Sequence, residues 1–231
     1  MLTACTGLQK SPVDVQTALD IPNAEKIRIL LKESQNSPFP QRETKLLQAA
    51  ALMLKEGRKD LTEQTLDRIQ TSSLPFRLFA LYTEVNCELQ LLKGEYEQAR
   101  MALEADRLQN NFDTLSLDRQ ITLNLLRAEV YDLLGDHIAS AQQRIFINLL
   151  LNIENQKSNR DAIWNSLMQV GKAELTYYQE GSSRGEYLGW LDLALIAKSN
   201  QGDLDEQVRQ LNNWESQWQQ HPANGHLQIG R

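Results

Sequence analysis

Residues 78–99, with the sequence LFALYTEVNCELQLLKGEYEQA, decide the fold of this chain. Apolar side chains recur at alternating spacings of three and four residues: Leu78, Leu81, Tyr82, Val85, Leu89 and Leu92. This period places them on one face of an α-helix that packs on a core. Gly94 and Glu95 interrupt the pattern, and a second helical pattern follows from Tyr96. The stretch predicts two helices joined by a short turn that contains a glycine.

Apolar stripes with the same helical period cover most of the remaining chain. They lie at Ile27 to Leu31, Leu47 to Leu54, Ile121 to Tyr131, Ile138 to Leu149 and Leu204 to Trp218. The last stripe is preceded by Asp203, with Glu206 three residues later, which is the pattern of a helix-capping box. Alternating strand patterns are absent, and the only hairpin-type dipeptide is Asn224-Gly225. The sequence predicts an all-α protein.

Four glycines, Gly57, Gly94, Gly135 and Gly202, each lie in a short polar turn between two stripes. They are separated by 37, 41 and 67 residues, and the last interval is close to twice 34. A helix pair that repeats about every 34 residues is typical of tetratricopeptide repeats. The segment from Gly94 to Ala99 resembles the turn between the two helices of such a repeat.

Single residues support this repeat, although the match is degenerate. Ala128 and Tyr131 lie where the repeat has a small residue and a tyrosine. Cys87 has the equivalent small-residue position, but Gln90 replaces the tyrosine. We predict a solenoid of tetratricopeptide-like helical hairpins, with an unrelated helical bundle as the alternative.

The N-terminal residues Leu2-Thr3-Ala4-Cys5 have the pattern of a bacterial lipobox, in which the cysteine thiol is acylated. The basic and apolar regions that usually precede a lipobox are not present upstream. A free cysteine in a frayed tail is therefore the alternative. We predict that Cys5 is the lipidated residue.

These patterns predict three regions: residues 1–20 as a lipobox remnant and flexible tether, residues 21–223 as the helical domain, and residues 224–231 as the start of a linker or a tail. The net charge of −6 argues against a broad attraction to nucleic acid or to anionic lipid. With Cys5 lipidated, Cys87 has no disulfide partner, and we predict that it is a small buried apolar residue. No apolar run approaches the roughly 20 residues of a membrane span.

All four tryptophans lie in the C-terminal third of the chain: Trp164, Trp190, Trp214 and Trp218. The segment from Tyr187 to Ala197 is apolar almost all round, as in a helix that neighbours surround on several sides. We predict that the densest core lies there, around Trp190. A tryptophan-lined binding groove is the alternative.

One catalytic pattern matches. Gly181 to Gly185 fits G-x-S-x-G around Ser183, and Asp203 and His221 follow in the chain order of an α/β-hydrolase triad. That mechanism needs the serine on a sharp turn after a strand, and no strand is predicted here. We predict no catalytic residue, with a serine hydrolase as a distant alternative.

The three histidines, His137, His221 and His226, are not spaced with other ligands as a zinc site would be. We expect His137 to be solvated in an interhelical turn. The sequence predicts no metal site and no cofactor.

Three segments of the C-terminal third together resemble a known family. They are Ile163 to Leu167, the Gly-Trp-Leu helix Tyr187 to Leu193, and Leu211 to Ala223, which ends in His-Pro-Ala. In this order, after a lipobox and helical pairs, they resemble the N-terminal domain of the LpoA family. Its members are outer-membrane lipoproteins that activate class A penicillin-binding proteins. The resemblance covers roughly residues 1–223.

The resemblance implies a non-catalytic regulator of peptidoglycan synthesis on the periplasmic side of the outer membrane of a Gram-negative bacterium. Its partner would be a class A penicillin-binding protein, contacted mainly through a second domain that follows in family members. Peptidoglycan is a further possible contact, lipid is the only membrane contact, and nucleic acid is not expected. This part of the protein would then be a helical spacer or interaction module. The alternative is another tetratricopeptide outer-membrane lipoprotein that acts as a scaffold for envelope-protein or pilus assembly.

Overall fold

A computed structural model describes residues 23–182, 185–200 and 202–219, without the side chains of residues 218 and 219. Every regular element in these ranges is helical, which confirms the all-α prediction. The α-helices are α1 Ala24–Gln35, α2 Gln41–Lys55, α3 Lys59–Leu66, α4 Phe76–Lys93, α5 Tyr96–Leu103, α6 Asp106–Gln109, α7 Leu117–Leu134, α8 His137–Asn148, α9 Ile153–Gln169, α10 Lys172–Gly181, α11 Glu186–Ser199 and α12 Leu204–Gln219. The chain divides into two compact units, residues 1–74 and residues 75–231.

The first unit is built around α2, which packs against both α1 and α3. Ile27, Ala49 and Met53 form its buried cluster, and Leu46 and Leu47 are fully buried beside them. The predicted α1 stripe, Ile27 to Leu31, packs in this cluster, whereas α2 contributes Ala49 and Met53 to it. The residues of the predicted α2 stripe, Leu47, Ala50 and Leu54, are buried but lie outside the cluster.

Three glycines end their helices in the same way, at Gly57, Gly94 and Gly135. Their φ angles are 71°, 78° and 83°, in the left-handed region where a side chain is disfavoured. The residue after each glycine donates its N–H to the carbonyl five residues earlier, over 2.9 Å in all three turns. This is the Schellman motif, and it confirms that the predicted glycine turns end helices.

In the second unit, α4 pairs with α5, and α7 pairs with α8. Both α4 and α5 also pack on α7, around a core of small and aliphatic residues: Ala80, Cys87, Ala99, Leu103, Leu108, Leu115, Leu123, Leu126 and Val130. Cys87 and Ala128, predicted to be small residues at helix contacts, are both fully buried. The repeated hairpins of the predicted fold are therefore present in this part.

Polar side chains link positions that are one repeat apart. Asn23 donates to Glu56 over 2.8 Å across 33 residues, and Ser166 donates to Asp132 over 2.9 Å across 34 residues. Arg119 pairs with Glu84 across 35 residues. Because the three separations match the predicted period, the period read from the glycines also describes contacts between side chains.

The C-terminal part departs from this regular pairing. The long interval between Gly135 and Gly202 contains α9 and α10, which meet at an extended break formed by Val170 and Gly171. However, α9 packs on α8 and α11, while α10 packs mainly on α11. The 67-residue interval is long enough for two helical hairpins, as predicted from its length. Even so, α9 and α10 do not pack closely on each other as the two helices of a hairpin would.

Trp190 lies in the largest cluster of this part and is 8% exposed, which confirms its predicted burial. Its buried neighbours in the cluster include Ile163, Leu167 and Leu191. Trp164 packs at the edge of this cluster and also against a smaller one formed by Leu193 and Trp214. The side chain of Trp218 lies outside the described residues.

The stripe predicted for α12 is partly wrong. Leu204 and Val208 are 75% and 56% exposed, whereas Trp214 is buried and Leu211 packs against it. The reason is that α12 packs chiefly on α11, so one narrow face of the helix is sufficient. The last residues of two other predicted stripes, Leu92 and Leu149, are also exposed.

Candidate functional site

A polar cluster lies where the ends of three helices of the second unit meet. Asp132, near the end of α7, accepts a hydrogen bond from the Ser166 hydroxyl of α9 over 2.9 Å. Asp132 Oδ1 also lies 3.1 Å from Nδ1 of His137, the first residue of α8. Arg144 approaches the other carboxylate oxygen at 3.8 Å. His137 is partly exposed, as expected for a residue near a turn, but its ring also contacts Asp132, which was not predicted.

The order of groups in this cluster does not suit nucleophilic catalysis. A serine nucleophile needs a base in contact with its hydroxyl, and here the carboxylate lies between the serine and the imidazole. The Ser166 hydroxyl is buried and also lies 3.1 Å from the carbonyl oxygen of Ala162. The cluster therefore joins α7, α8 and α9, and it presents His137 at the surface.

Two polar grooves lie beside the α7–α8 turn. One, of about 420 Å³, is lined by Asp132, His137, Ala162, Asn165, Ser166 and Gln169. The other, of about 330 Å³, is lined by Glu97, Arg100, Glu104, Tyr131, Leu134, Asp136 and Ala139. Both combine side chains from different helices of the repeat, which is the kind of surface on which a partner chain binds.

In the second groove, Tyr131 donates its hydroxyl to Glu104 over 3.0 Å. Burial and this hydrogen bond raise the pKa of Tyr131, so the phenol stays protonated and remains a donor at physiological pH. Arg100 lies beside the same carboxylate at 3.4 Å and pairs more closely with Glu97. Tyr131, the tyrosine predicted from the repeat, therefore forms part of the lining of this groove.

A third groove, of about 450 Å³, lies between α10, α11 and α12. Four of its nine lining residues carry amide side chains, and Gln179 donates to Asp192 across the groove over 2.7 Å. Trp214 contributes to the same lining while it packs against Leu193. Trp190 therefore lies in the core, as predicted, and Trp214 is buried in a smaller cluster while it also contributes to the lining of this groove.

Cys87 is fully buried, as predicted. Burial is the largest cause that raises the pKa of its thiol to about 12, and the nearby carboxylates Glu88 and Glu129 add to it. Because the thiolate is the reactive form, this cysteine is not a nucleophile at physiological pH.

The remaining predicted residues divide into two groups. Asp203 accepts a hydrogen bond from the backbone N–H of Glu206 over 3.0 Å, which confirms it as the cap of α12. The Glu206 carboxylate pairs with Arg209, so the reciprocal half of the capping box is not formed. Cys5, Ser183, His221 and His226 lie outside the described residues.

Within the described ranges, no group of three or more potential ligands is arranged to hold a metal ion. Nor does any helix in the same part of the chain combine the length and the apolar character that crossing a membrane requires.

The Asp132–Ser166 pair was not predicted, although the sequence carries a signal for it. The two residues are 34 positions apart, which is the predicted repeat length. In a repeat, residues one period apart lie on neighbouring units, so complementary polar residues at this spacing are candidates for contact.

With this geometry established, comparison with known proteins is decisive. Residues 20–229 match the family profile described as "LppC putative lipoprotein". The chain belongs to the LppC lipoprotein family.

Curated relatives in this family carry the name "Penicillin-binding protein activator LpoA". The protein from Vibrio antiquarius strain Ex25 is 22% identical over 225 residues, which cover 96% of this chain and 36% of the relative. The protein from Edwardsiella ictaluri strain 93-146 is 29% identical over 230 residues, which cover 96% of this chain and 32% of the relative. The chain therefore spans about a third of the length of the relatives it matches.

Solved structures share the fold. The amino-terminal domain of E. coli LpoA superposes with a TM-score of 0.62 at 19% identity, covering 94% of this chain and 95% of that domain. Full-length LpoA from Haemophilus influenzae superposes with a TM-score of 0.55 at 18% identity, covering 86% of this chain and 36% of that protein. The resemblance inferred from the sequence is confirmed.

Proposed function

We propose that this chain is the periplasmic helical part of an outer-membrane lipoprotein that regulates peptidoglycan synthesis by activating a class A penicillin-binding protein. One observation carries the proposal. The named activators match over 96% of this chain, and the amino-terminal domain of one LpoA protein has the same fold over nearly its whole length.

The described side chains favour a mechanical role over a chemical one. The buried Ser166 hydroxyl and the partly exposed Asp132 carboxylate, for example, join two helices. The Cys87 thiol is buried and protonated. We infer that the helical repeats hold neighbouring parts of the protein at a fixed distance and offer grooves to partners, with peptidoglycan as one further contact.

The anchor in this proposal is Cys5. Each buried acyl methylene contributes about 0.8 kcal/mol to membrane binding, so two or more acyl chains hold a protein firmly. Lipid at this position would place the helices on the periplasmic side of the outer membrane.

The anchor is tested by expressing the whole gene with Cys5→Ser and fractionating the cells. We expect the wild-type protein in the outer-membrane fraction and the variant in the soluble periplasmic fraction. Cys87→Ser is the matched control, because it removes the other cysteine and leaves the lipobox intact. A Cys5→Ser protein that still sediments with the outer membrane would contradict the proposed anchor.

A further inference from the structure

The first unit contains a recess between α1 and α3, with α2 as its floor. Its volume is about 380 Å³, and its lining includes Ile27, Leu31, Met53 and Leu61. Ile27 and Met53 are buried and form the base, whereas Leu61 is 44% exposed at the edge. The base of the recess is therefore apolar and preformed.

Three arginines surround this apolar base, each from a different element. Arg28 lies on α1, Arg58 in the α2–α3 turn, and Arg68 just after α3. Arg28 pairs with Glu25 over 2.6 Å. Among the residues that the structure describes, neither Arg58 nor Arg68 has a carboxylate partner. Guanidinium groups bind phosphate oxygens in a bidentate manner, so two of these side chains are available for a phosphate.

The recess also lies in the basic part of an acidic chain. The first unit, residues 1–74, has ten basic and nine acidic side chains, a net charge of +1, whereas residues 75–231 have 14 basic and 21 acidic side chains, a net charge of −7. An anionic ligand therefore meets no net repulsion at the first unit, whereas the net charge of the rest of the chain repels it. The net charge of the whole chain conceals this local preference.

We propose that the recess binds the headgroup of an anionic phospholipid at a membrane surface. The guanidinium groups of Arg58 and Arg68 would hold the phosphate, and the apolar base would receive the adjoining methylenes. The volume of the recess lies within the range of small-ligand pockets, about 300–1,000 Å³, and a lipid headgroup needs no long groove such as a partner helix would fill.

The presence of a membrane nearby rests on the proposed function, since it follows from lipid on Cys5. The 18 residues from Cys5 to Asn23 span at most about 65 Å. A bilayer that holds the acylated cysteine is therefore within reach of the recess. Binding of the headgroup would then set the orientation of the first unit on the membrane.

The test uses the Cys5→Ser chain, which has no acyl group, in a sedimentation assay with lipid vesicles. We expect binding to vesicles that contain phosphatidylglycerol and little binding to vesicles of phosphatidylcholine alone. The double variant Arg58→Gln/Arg68→Gln should bind the anionic vesicles about 30-fold more weakly, because each arginine near an anionic surface contributes roughly a fivefold factor.

The control variant is Lys26→Gln/Lys55→Gln, which removes the same charge from exposed positions of the same unit that do not line the recess. It should bind within about threefold of the parent chain, because charges facing away from the surface contribute little. Equal melting temperatures of the two double variants would show that the fold is intact.

Three results would overturn the proposal: equal binding to both kinds of vesicle, an equal loss in both double variants, or no loss in the arginine variant. Capture of an acidic peptide by the recess, without vesicle binding, would also overturn it and assign the recess to a protein partner. The assay contains no penicillin-binding protein, so its failure is distinguishable from failure of the proposed function.

Discussion

The segments α4–α8 and α9–α12 connect and pack their helices in different ways. In α4–α8, a left-handed glycine closes each hairpin, and small residues such as Cys87 and Ala99 allow the helices to approach closely. In α9–α12, an extended break at Val170 and Gly171 separates two helices, and Trp190 fills the space between the others. The first solution depends on backbone geometry and leaves a fixed period in the sequence. The second depends on one large side chain, and the next predicted turn glycine follows only after 67 residues, at Gly202.

The largest expected loss of stability comes from replacing Trp190, the large buried side chain of the α9–α12 segment. Replacing a buried tryptophan by alanine typically costs about 3–5 kcal/mol, a large part of the roughly 5–15 kcal/mol that stabilise a domain. We expect Trp190→Ala to lower the free energy of unfolding by that amount in urea denaturation. Tyr177→Ala is the matched control, because Tyr177 is an aromatic residue of the same part that is 72% exposed. A loss below about 1 kcal/mol in Trp190→Ala would mean that this part does not depend on its tryptophan.

The link between the two parts is tested at Asp132, whose carboxylate joins α7 and α8 to Ser166 of α9. Asp132→Ala leaves the buried Ser166 hydroxyl without this acceptor and should cost about 1–3 kcal/mol in the same measurement. Asp161→Ala, at an exposed position of α9, should change stability by less than about 0.5 kcal/mol. Equal effects of the two substitutions would show that the Asp132 cluster does not stabilise the helix contacts.

A smaller effect on stability distinguishes the glycine turn that ends α7 from the extended break between α9 and α10. Gly135 has a φ of +83°, and a methyl group added there would meet no atom within 4 Å. Gly135→Ala should therefore cost only the left-handed strain, about 1–2 kcal/mol. Gly171, the N-cap of α10, has a φ of −66° and equally open space, so Gly171→Ala carries no left-handed strain and should cost about 0.5 kcal/mol or less. Thermal unfolding of the two variants would measure the difference, and equal melting temperatures would contradict the role given to the Schellman turns.

The sequence predicted best where geometry demands a specific residue. A left-handed turn requires glycine, so Gly57, Gly94 and Gly135 could be assigned before the structure was known. The burial of Trp190 followed in the same way from a segment that is apolar on every side. The exposed face of α12 could not be predicted, because an apolar stripe does not reveal how many neighbours a helix has.

The candidate sites were harder to predict, because they depend on residues brought together from different helices. His137 was expected in solvent, since nothing adjacent in the sequence indicates the contact with Asp132. The recess in the first unit was not predicted, because the net charge of the whole chain, −6, gives no sign that three arginines meet at one surface. The 34-residue separation of Asp132 and Ser166 was the one signal that could have identified a site.

We propose that these helices hold neighbouring parts of the protein in place and do not activate a penicillin-binding protein by themselves. The most direct test is a peptidoglycan synthesis assay with a class A penicillin-binding protein from the same organism, with and without residues 1–231. A whole-length relative of the LpoA family, paired with its own synthase, is the positive control. We predict that the chain leaves the rates of glycan polymerisation and of peptide cross-linking unchanged, while the control pair responds. A rise in peptide cross-linking caused by residues 1–231 alone would contradict the account and place the activating contact on the helical repeats.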